Sequence, residues 1–396
     1  MRILLVTSEL PDPAAGPGGG EPTWPWVREL AGTHSYSLLS FLRPEDETRL
    51  AGIREYFEVI RTVPAGPRGL NRLSRFPRII FHPFPVAAAC SRRFQAALEE
   101  MLAEGAYDCV QLEKFPMGQY SRRLPETVSR VLVYRDLAGE VLRRQVWLAR
   151  GLKKYYYYRE WKLSSHREKW YAIWSRNVLV TSLKDRRTVD SWDIGVKIFT
   201  LPPLLDPGLL VLPAEKRDGE TVLFSGSFNR PGTIDAVIRL KEEIMPRVRR
   251  ECPGSNSLIV GANPPAEVRR LAAADFIVSG DTERLPEHLS TAAVLAVPLR
   301  VTGGLVPEIV EAMTAACPVV STRSASVGLG ARDEDQILLA DRADDFAAAV
   351  LRLLKSPGER ERLGWAGRNL VREKFDRKKS REKMEDIYRR IVSSGR

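Results

Sequence analysis

Short apolar runs that end in polar or turn residues recur through the first half of the chain: RILLVT (2–7), YSLLSFL (36–42), FEVIRTV (57–63), DCVQLE (108–113), RVLVYRD (130–136) and NVLVTS (177–182). Stretches with helical spacing, such as SRRFQAALEEMLAEG, stand between them. Buried runs of strand length alternating with helices predict a parallel sheet covered on both faces. In such sheets ligands gather beyond the carboxyl ends of the strands, so the residues after each run are the candidates for chemistry. KIFTLPPLLDP (197–207) reads as a last strand and a linker, and the proline-rich stretch 202–218 marks a boundary. The pattern restarts at TVLFSG, alternates strand and helix to about residue 340, and ends in helices from Asp344. The fold class is therefore α/β, with two Rossmann-like domains, 1–205 and 206–375, and a charged amphipathic tail, 376–396.

Within the second domain, LRVTGGLVPEIVEAMTAACPVVST (299–322) joins a strand end, a glycine pair, an acidic helix start and a further short strand. Gly303 and Gly304 let backbone approach a ligand, and Pro307 suits a first helical turn whose unpaired amides attract an anion such as a diphosphate. Glu311, one turn in, offers an acceptor-only group at the reach of vicinal ribose hydroxyls. Gly226 and Ser227 follow the strand TVLFS and offer an amide and a hydroxyl to phosphate. Arg300 ends the run AAVLAVPLR, where a guanidinium fork suits a departing diphosphate or an ordinary surface ion pair.

These segments resemble the retaining nucleotide-sugar glycosyltransferases of family 4. EAMTAACPVVST is similar to that family's LEAMAxGxPVV signature; VLFSGSFNRPGTIDAV (222–237) and the Gly-x-Asn-Pro turn of PRVRRECPGSNSLIVGANPPAEVRRLA (246–272) follow in order. The resemblance covers nearly all of residues 220–330. It implies the GT-B architecture: two facing Rossmann-like domains, a cleft between them, and a final helix crossing back to the first domain. It implies transfer of a sugar from a nucleoside diphosphate sugar to a hydroxyl acceptor, glycan or lipid-linked, with retention and without a metal ion or other cofactor. Donor binding then falls to Gly226, Ser227, Arg230, Arg300, Gly303, Gly304, Glu308 and Glu311. Cell-surface polysaccharide or glycolipid assembly is the setting it suggests.

The same resemblance places Gly18, Gly19 and Gly20, in PDPAAGPGGGEPTWPW, beside the acceptor and the donor phosphates. That loop lacks the GxGxxG spacing of a dinucleotide site, and Pro22 and Pro25 would interrupt a long helix. Several positions depart from the family pattern. Gly303 stands where many relatives carry Glu, and Glu308 where Lys is usual; Val306 replaces a basic residue. A carboxylate facing a diphosphate is repulsive, so Glu308 must turn away, meet a cation, or mark a lost donor site; Arg230 and Arg323 are the candidate replacements. The strand-end His-Asn of relatives is Arg135-Asp136 here, and both join Arg300 as catalytic candidates. Asp136 is suited to receiving an acceptor proton or to capping the next helix.

The chain has 396 residues, 44% hydrophobic and 28% charged, and a net charge of +11. No run approaches the length of a membrane span, and MRILLVTSEL reads as a first strand, so the expected address is the cytoplasm. The positive charge concentrates in residues 61–93, with seven arginines and no acid, and in 143–176, where KKYYYYREWK and EKWYAIWSR interleave cations with rings. Such a surface suits an anionic membrane at which the protein would be peripheral, a nucleic acid, or a solvated face with inward aromatics. The membrane is the expected partner and nucleic acid is not. A degenerate glycosyltransferase-like binding protein and a nucleic-acid-binding protein are the competing classes. Four dispersed cysteines, four histidines outside any ligand spacing, and the acidic run Asp333–Asp335 in a polar turn carry no assigned role.

Overall fold

The computed structural model describes residues 1–11, 23–43, 46–65, 81–201, 204, 217–228, 231–300 and 306–393. They form two compact units: one takes the described residues up to 201 and again from Lys378 onward, the other the described residues from 204 to 377. Each unit has its own hydrophobic core.

The first unit is built on a seven-stranded sheet of β1 (Arg2–Thr7), β2 (Ser35–Leu42), β3 (Val59–Pro64), β4 (Cys109–Glu113), β5 (Ser129–Tyr134), β6 (Asn177–Val180) and β7 (Lys197–Thr200). The order is β3-β2-β1-β4-β5-β6-β7 and every pairing is parallel. β4, β5 and β6 are buried at every position, which is why their sequences are near-continuous apolar runs without alternation. Crossover helices cover the sheet. In Arg92–Glu104, Phe94, Leu98 and Met101 recur at helical spacing on the buried face, and the Ser91 hydroxyl accepts from the Phe94 amide to close the first turn. The first loop leads into an eight-residue helix, Thr23–Leu30, which tolerates Pro25 because a first turn has no amide bond to lose there.

The helix Arg377–Ser393 belongs to this first unit. Met384, Ile387, Tyr388 and Ile391 are buried. The Tyr388 hydroxyl donates to Gln111 Oε1 (2.7 Å), and Gln111 in turn donates to Glu113 Oε1 (2.6 Å), a buried polar chain running along β4.

The second unit repeats the topology with β8 (Thr221–Ser225), β9 (Asn256–Val260), β10 (Phe276–Ser279), β11 (Val294–Val297), β12 (Val319–Ser321) and β13 (Leu338–Leu339). Their order is β10-β9-β8-β11-β12-β13, again all parallel. In both sheets the order reverses beside the first strand, between β1 and β4 and between β8 and β11. That reversal leaves a crevice beyond the carboxyl ends, because the helices on either side leave in opposite directions.

Candidate functional site

At the second unit's reversal point, β8 runs out at Ser225 and the chain turns at Gly226-Ser227, both half-buried. The Gly226 amide donates to Val260 O (3.1 Å), and the next turn packs hard against it. A side chain at Gly261 would stand 2.3 Å from Gly226 O and 2.6 Å from the Phe228 ring, so only glycine lets the two turns close on each other.

β11 delivers Leu299 and Arg300 to the same crevice. Buried Arg239 braces this end by donating to Pro298 O (3.2 Å) and Asp341 O (2.5 Å). Thr322 and Ser324 hydroxyls both donate to Leu299 O, at 2.5 and 3.1 Å, tying the turn after β12 to the turn after β11. Arg300 forks onto Asp235, with Nη2 and Nε at 2.5 and 3.0 Å from its two oxygens. The bond from Asp235 raises the Arg300 pKa, so the guanidinium stays charged.

The helix Pro307–Thr314 starts from Val306 and carries Glu308 and Glu311 on one face, three residues apart. Both are buried, at 3% and 4% exposure, so neither projects as a solvated side chain. Arg323 is held in its own unit: its amide and Nη2 donate to Asp341 (3.0 Å) and Asp333 (3.1 Å). The acidic run Asp333–Asp335 serves the local turn. Asp333 also accepts from the Leu339 amide (2.8 Å), and Glu334 and Asp335 pair with Arg352 (2.5 Å) and Arg332 (2.7 Å). Gly18, Gly19, Gly20, Arg230, Gly303 and Gly304 lie outside the described residues.

In the first unit Arg135 and Asp136 follow β5, half-buried, and Thr181 donates to Arg135 O (2.9 Å). Asp136 does not cap the next helix. Glu168 does, its two oxygens accepting from the Ala138 (2.5 Å) and Gly139 (3.0 Å) amides that open Ala138–Leu148. A side chain at Gly139 would meet Ser165 Oγ at 2.4 Å and Glu168 at 2.8 Å, which fixes glycine there. Burial pushes the Glu168 carboxyl up to about 8, although the two amides oppose it. Asp185, fully buried beneath the turn after β6, is pushed up to about 7 by burial; the 2.5 Å bond from Ser182 opposes the shift and Asp136 reinforces it. At the first unit's reversal point Lys114, directly after β4, pairs with Glu9, after β1. Lys114 has φ 67° and ψ 154°, a region that is essentially glycine's alone.

Glu168, Asp185, Lys114 and Glu9 are all missing from the sequence-based set. Glu168 sits inside a basic, aromatic helix whose pattern gives no sign that one acid turns inward. The signal for Lys114 was its position after an apolar run.

Residues 219–356 match the family model of glycosyl transferases group 1, the same segment that holds Gly226, Ser227, Arg300, Glu308 and Glu311. Among solved structures, the whole chain superposes on sucrose-phosphate synthase from Thermosynechococcus elongatus with a TM-score of 0.72 and 21% identity, covering 99% of each chain. TarM of S. aureus, in complex with fondaparinux, alpha-GlcNAc-glycerol and UDP, gives 0.70 at 11% identity over 98% of this chain and 99% of that one. An E. coli structure described as trehalose-6-phosphate bound with UDP-2-fluoro glucose gives 0.65 at 11%, with the same coverage.

The fold is GT-B.

No curated protein matches the chain by sequence. In this GT-B chain the described candidates Gly226, Ser227 and Arg300 follow β8 and β11 at the reversal point of the second sheet, Glu308 and Glu311 lie in the helix after β11, and Arg135 and Asp136 stand at a strand end of the first.

Proposed function

We propose that the protein transfers a sugar from a nucleoside diphosphate sugar to a hydroxyl of a glycan or lipid-linked acceptor, with retention and without a metal ion. The observation that carries this reading is a coincidence: the segment matching glycosyl transferases group 1 is the one whose turn and helix start converge on the β8/β11 reversal point. Two of the structures of similar fold hold UDP or a UDP-sugar.

In this reading Glu311 accepts from the ribose hydroxyls, its burial keeping water from competing for them. The Gly226 turn, the Ser227 hydroxyl and the backbone at Gly303-Gly304 surround the diphosphate, and the first-turn amides of Pro307–Thr314 add their partial positive charge. The bond between the anomeric carbon and the phosphate oxygen breaks, and the acceptor oxygen forms its bond on the same face. The acceptor proton passes to the departing phosphate oxygen, with Asp136 orienting the hydroxyl. Arg300 stabilises the phosphate charge only while sharing its guanidinium with Asp235. Arg323 is already shared between Asp333 and Asp341, which leaves Arg230 as the proposed replacement for the basic residues that relatives carry. The metal-free reading draws support from the acidic run Asp333–Asp335, which is taken up by arginines and a backbone amide.

A binding protein of the same fold, without transfer activity, is the second reading, favoured by the Arg300–Asp235 fork and by a carboxylate, Glu308, at the helix start. A thermal-shift series with UDP, GDP, ADP and their sugar conjugates separates the two. A ligand at one hundred times its dissociation constant adds about 2.7 kcal/mol of apparent stability. We expect one nucleotide to shift the wild type and Glu311→Ala to lose that shift. Absence of any shift rejects the transferase reading.

A further inference from the structure

The strand β5 is followed by a helical hairpin, Ala138–Leu148 and Leu152–Ser175, turned at Gly151 with φ 57°. Its dimensions show where it points. Glu168 meets the first turn of the shorter helix, so the sixteen residues 152–167 extend beyond the level at which that helix begins. At 1.5 Å per residue Leu152 lies roughly 24 Å from that level and about 12 Å beyond Glu160, which is buried against Phe84. Its base is braced: Glu160 accepts from the Phe84 amide (2.8 Å) and Arg167 reaches Phe81 O (3.4 Å).

The tip is apolar and uncovered. Trp147 is 85% exposed, Leu152 88% and Tyr155 76%, values reached only by side chains that project clear of their neighbours. Tyr156 and Tyr158 are exposed beside them. At about 100° per residue, Leu152, Tyr155, Tyr156 and Tyr158 fall within one broad arc of about 160° on the long helix, and Trp147 adds a ring from the shorter helix. Apolar groups from both helices, gathered at the end of the hairpin beside exposed cations, suit contact of that end with a broad surface.

Charge identifies the medium. Residues 138–175 contain nine Lys and Arg and three acids. Glu160 and Glu168 are buried and Glu140 is held by Arg143 (3.0 Å), so the outward field is that of Arg150, Lys153, Lys154, Lys162 and Lys169. Lys162 lies over the Trp161 ring (4.7 Å), a cation beside a ring part-way down the long helix. Tyr and Trp at the boundary with cations around them match the headgroup zone of a bilayer carrying anionic lipids. Among the described residues no helix is long and apolar enough to cross a membrane.

We propose that the tip of this hairpin, centred on Trp147, Leu152 and Tyr155, inserts into the headgroup layer of an anionic membrane and holds the first unit there by its strand-end side. The inference stands on the hairpin alone and does not require the donor site to be active. The test is co-sedimentation of the full chain with vesicles of phosphatidylcholine alone or mixed with phosphatidylglycerol. Wild type is expected to pellet with the mixed vesicles only. Lys153→Gln with Lys154→Gln should weaken partition roughly thirtyfold, and Trp147→Ser with Leu152→Ser should abolish it, with unfolding midpoints kept within a few degrees. The nucleotide shift is read on the same samples, and its retention alongside lost vesicle binding supports the surface as a separate device. Equal partition of wild type and variants overturns the proposal, as does failure of wild type to pellet. Self-association or salt-sensitive RNA binding that the same substitutions remove, without vesicle binding, also overturns it.

Discussion

Lys114 holds a conformation that costs a side-chain-bearing residue about 1–3 kcal/mol, at the end of β4 where the first sheet reverses order. The strain is sustained because its amide donates to Val133 O (3.1 Å) and its ammonium pairs with Glu9. Lys114→Gly removes the strain together with the cation; Lys114→Ala removes the cation alone. The glycine variant should therefore unfold in denaturant with a stability about 1–3 kcal/mol above the alanine variant. Equal midpoints would show that the backbone there is relaxed. A second strained residue bears on the signature helix. Ala316 has φ 53° where the family motif has glycine, and the turn survives because Cys317 N donates to Ala312 O (2.7 Å) and Ala316 N to Met313 O (3.0 Å). Single residues were the least legible level of the sequence. Glu311 and Gly226 could be singled out as candidates by their place in an ordered motif. Glu168 and Asp185 did not, because nothing local distinguishes a carboxylate that will be buried from one left in water. Arg300 could be positioned, but its fork onto Asp235 links residues sixty-five apart and needed the folded chain.

At the scale of elements, the turns after β5 and β6 each keep a buried acid: Glu168 of the hairpin's long helix caps Ala138–Leu148, and Asp185 of the helix Leu183–Asp190 is bonded to Ser182. Glu168 keeps its proton to about pH 8 and Asp185 to about 7, both because of burial. From about pH 5 upward the unfolded chain has released these protons while the folded chain still holds them. Stability therefore falls as pH rises across that window, by at most about 1.4 kcal/mol per pH unit for each group. Urea midpoints measured from pH 5 to 8 should decline for wild type, and Asp185→Asn should flatten the slope above pH 5. A wild-type profile that rises over this range would contradict the buried, protonated assignment. Strands were legible to within a residue or two, since full burial on both faces demands apolar runs. The hairpin was not. Its aromatic-basic composition admitted both an inward and an outward reading, and only the exposure of Trp147 and Tyr155 separates them.

For the molecule as a whole, the repeated pattern of strands and the proline-rich stretch after residue 201 carried the division into two α/β units, because each sheet must bury its own faces. What links the ends of the chain was implied by resemblance alone, since amphipathicity of Arg377–Ser393 says that it packs and not where. Its partners lie in the first unit, where the Tyr388 ring meets His34 edge-on at a centroid distance of 5.6 Å and its hydroxyl satisfies buried Gln111. A chain ending at Asp376 should keep the second unit's unfolding transition and lose or lower that of the first. Calorimetry showing both transitions unchanged would mean that the helix is dispensable to the core it covers.

The same helix sets an order of events during synthesis. Residues 1–201 leave the ribosome long before the helix that covers Gln111 and Tyr36, and the second unit is made in between. The usual sequence, in which an amino-terminal domain completes itself before the next begins, is therefore inverted: the second unit closes its core while the first still waits for its final piece. Until then the polar pair Gln111 and Glu113 on β4 lacks the cover and the hydroxyl that Tyr388 brings.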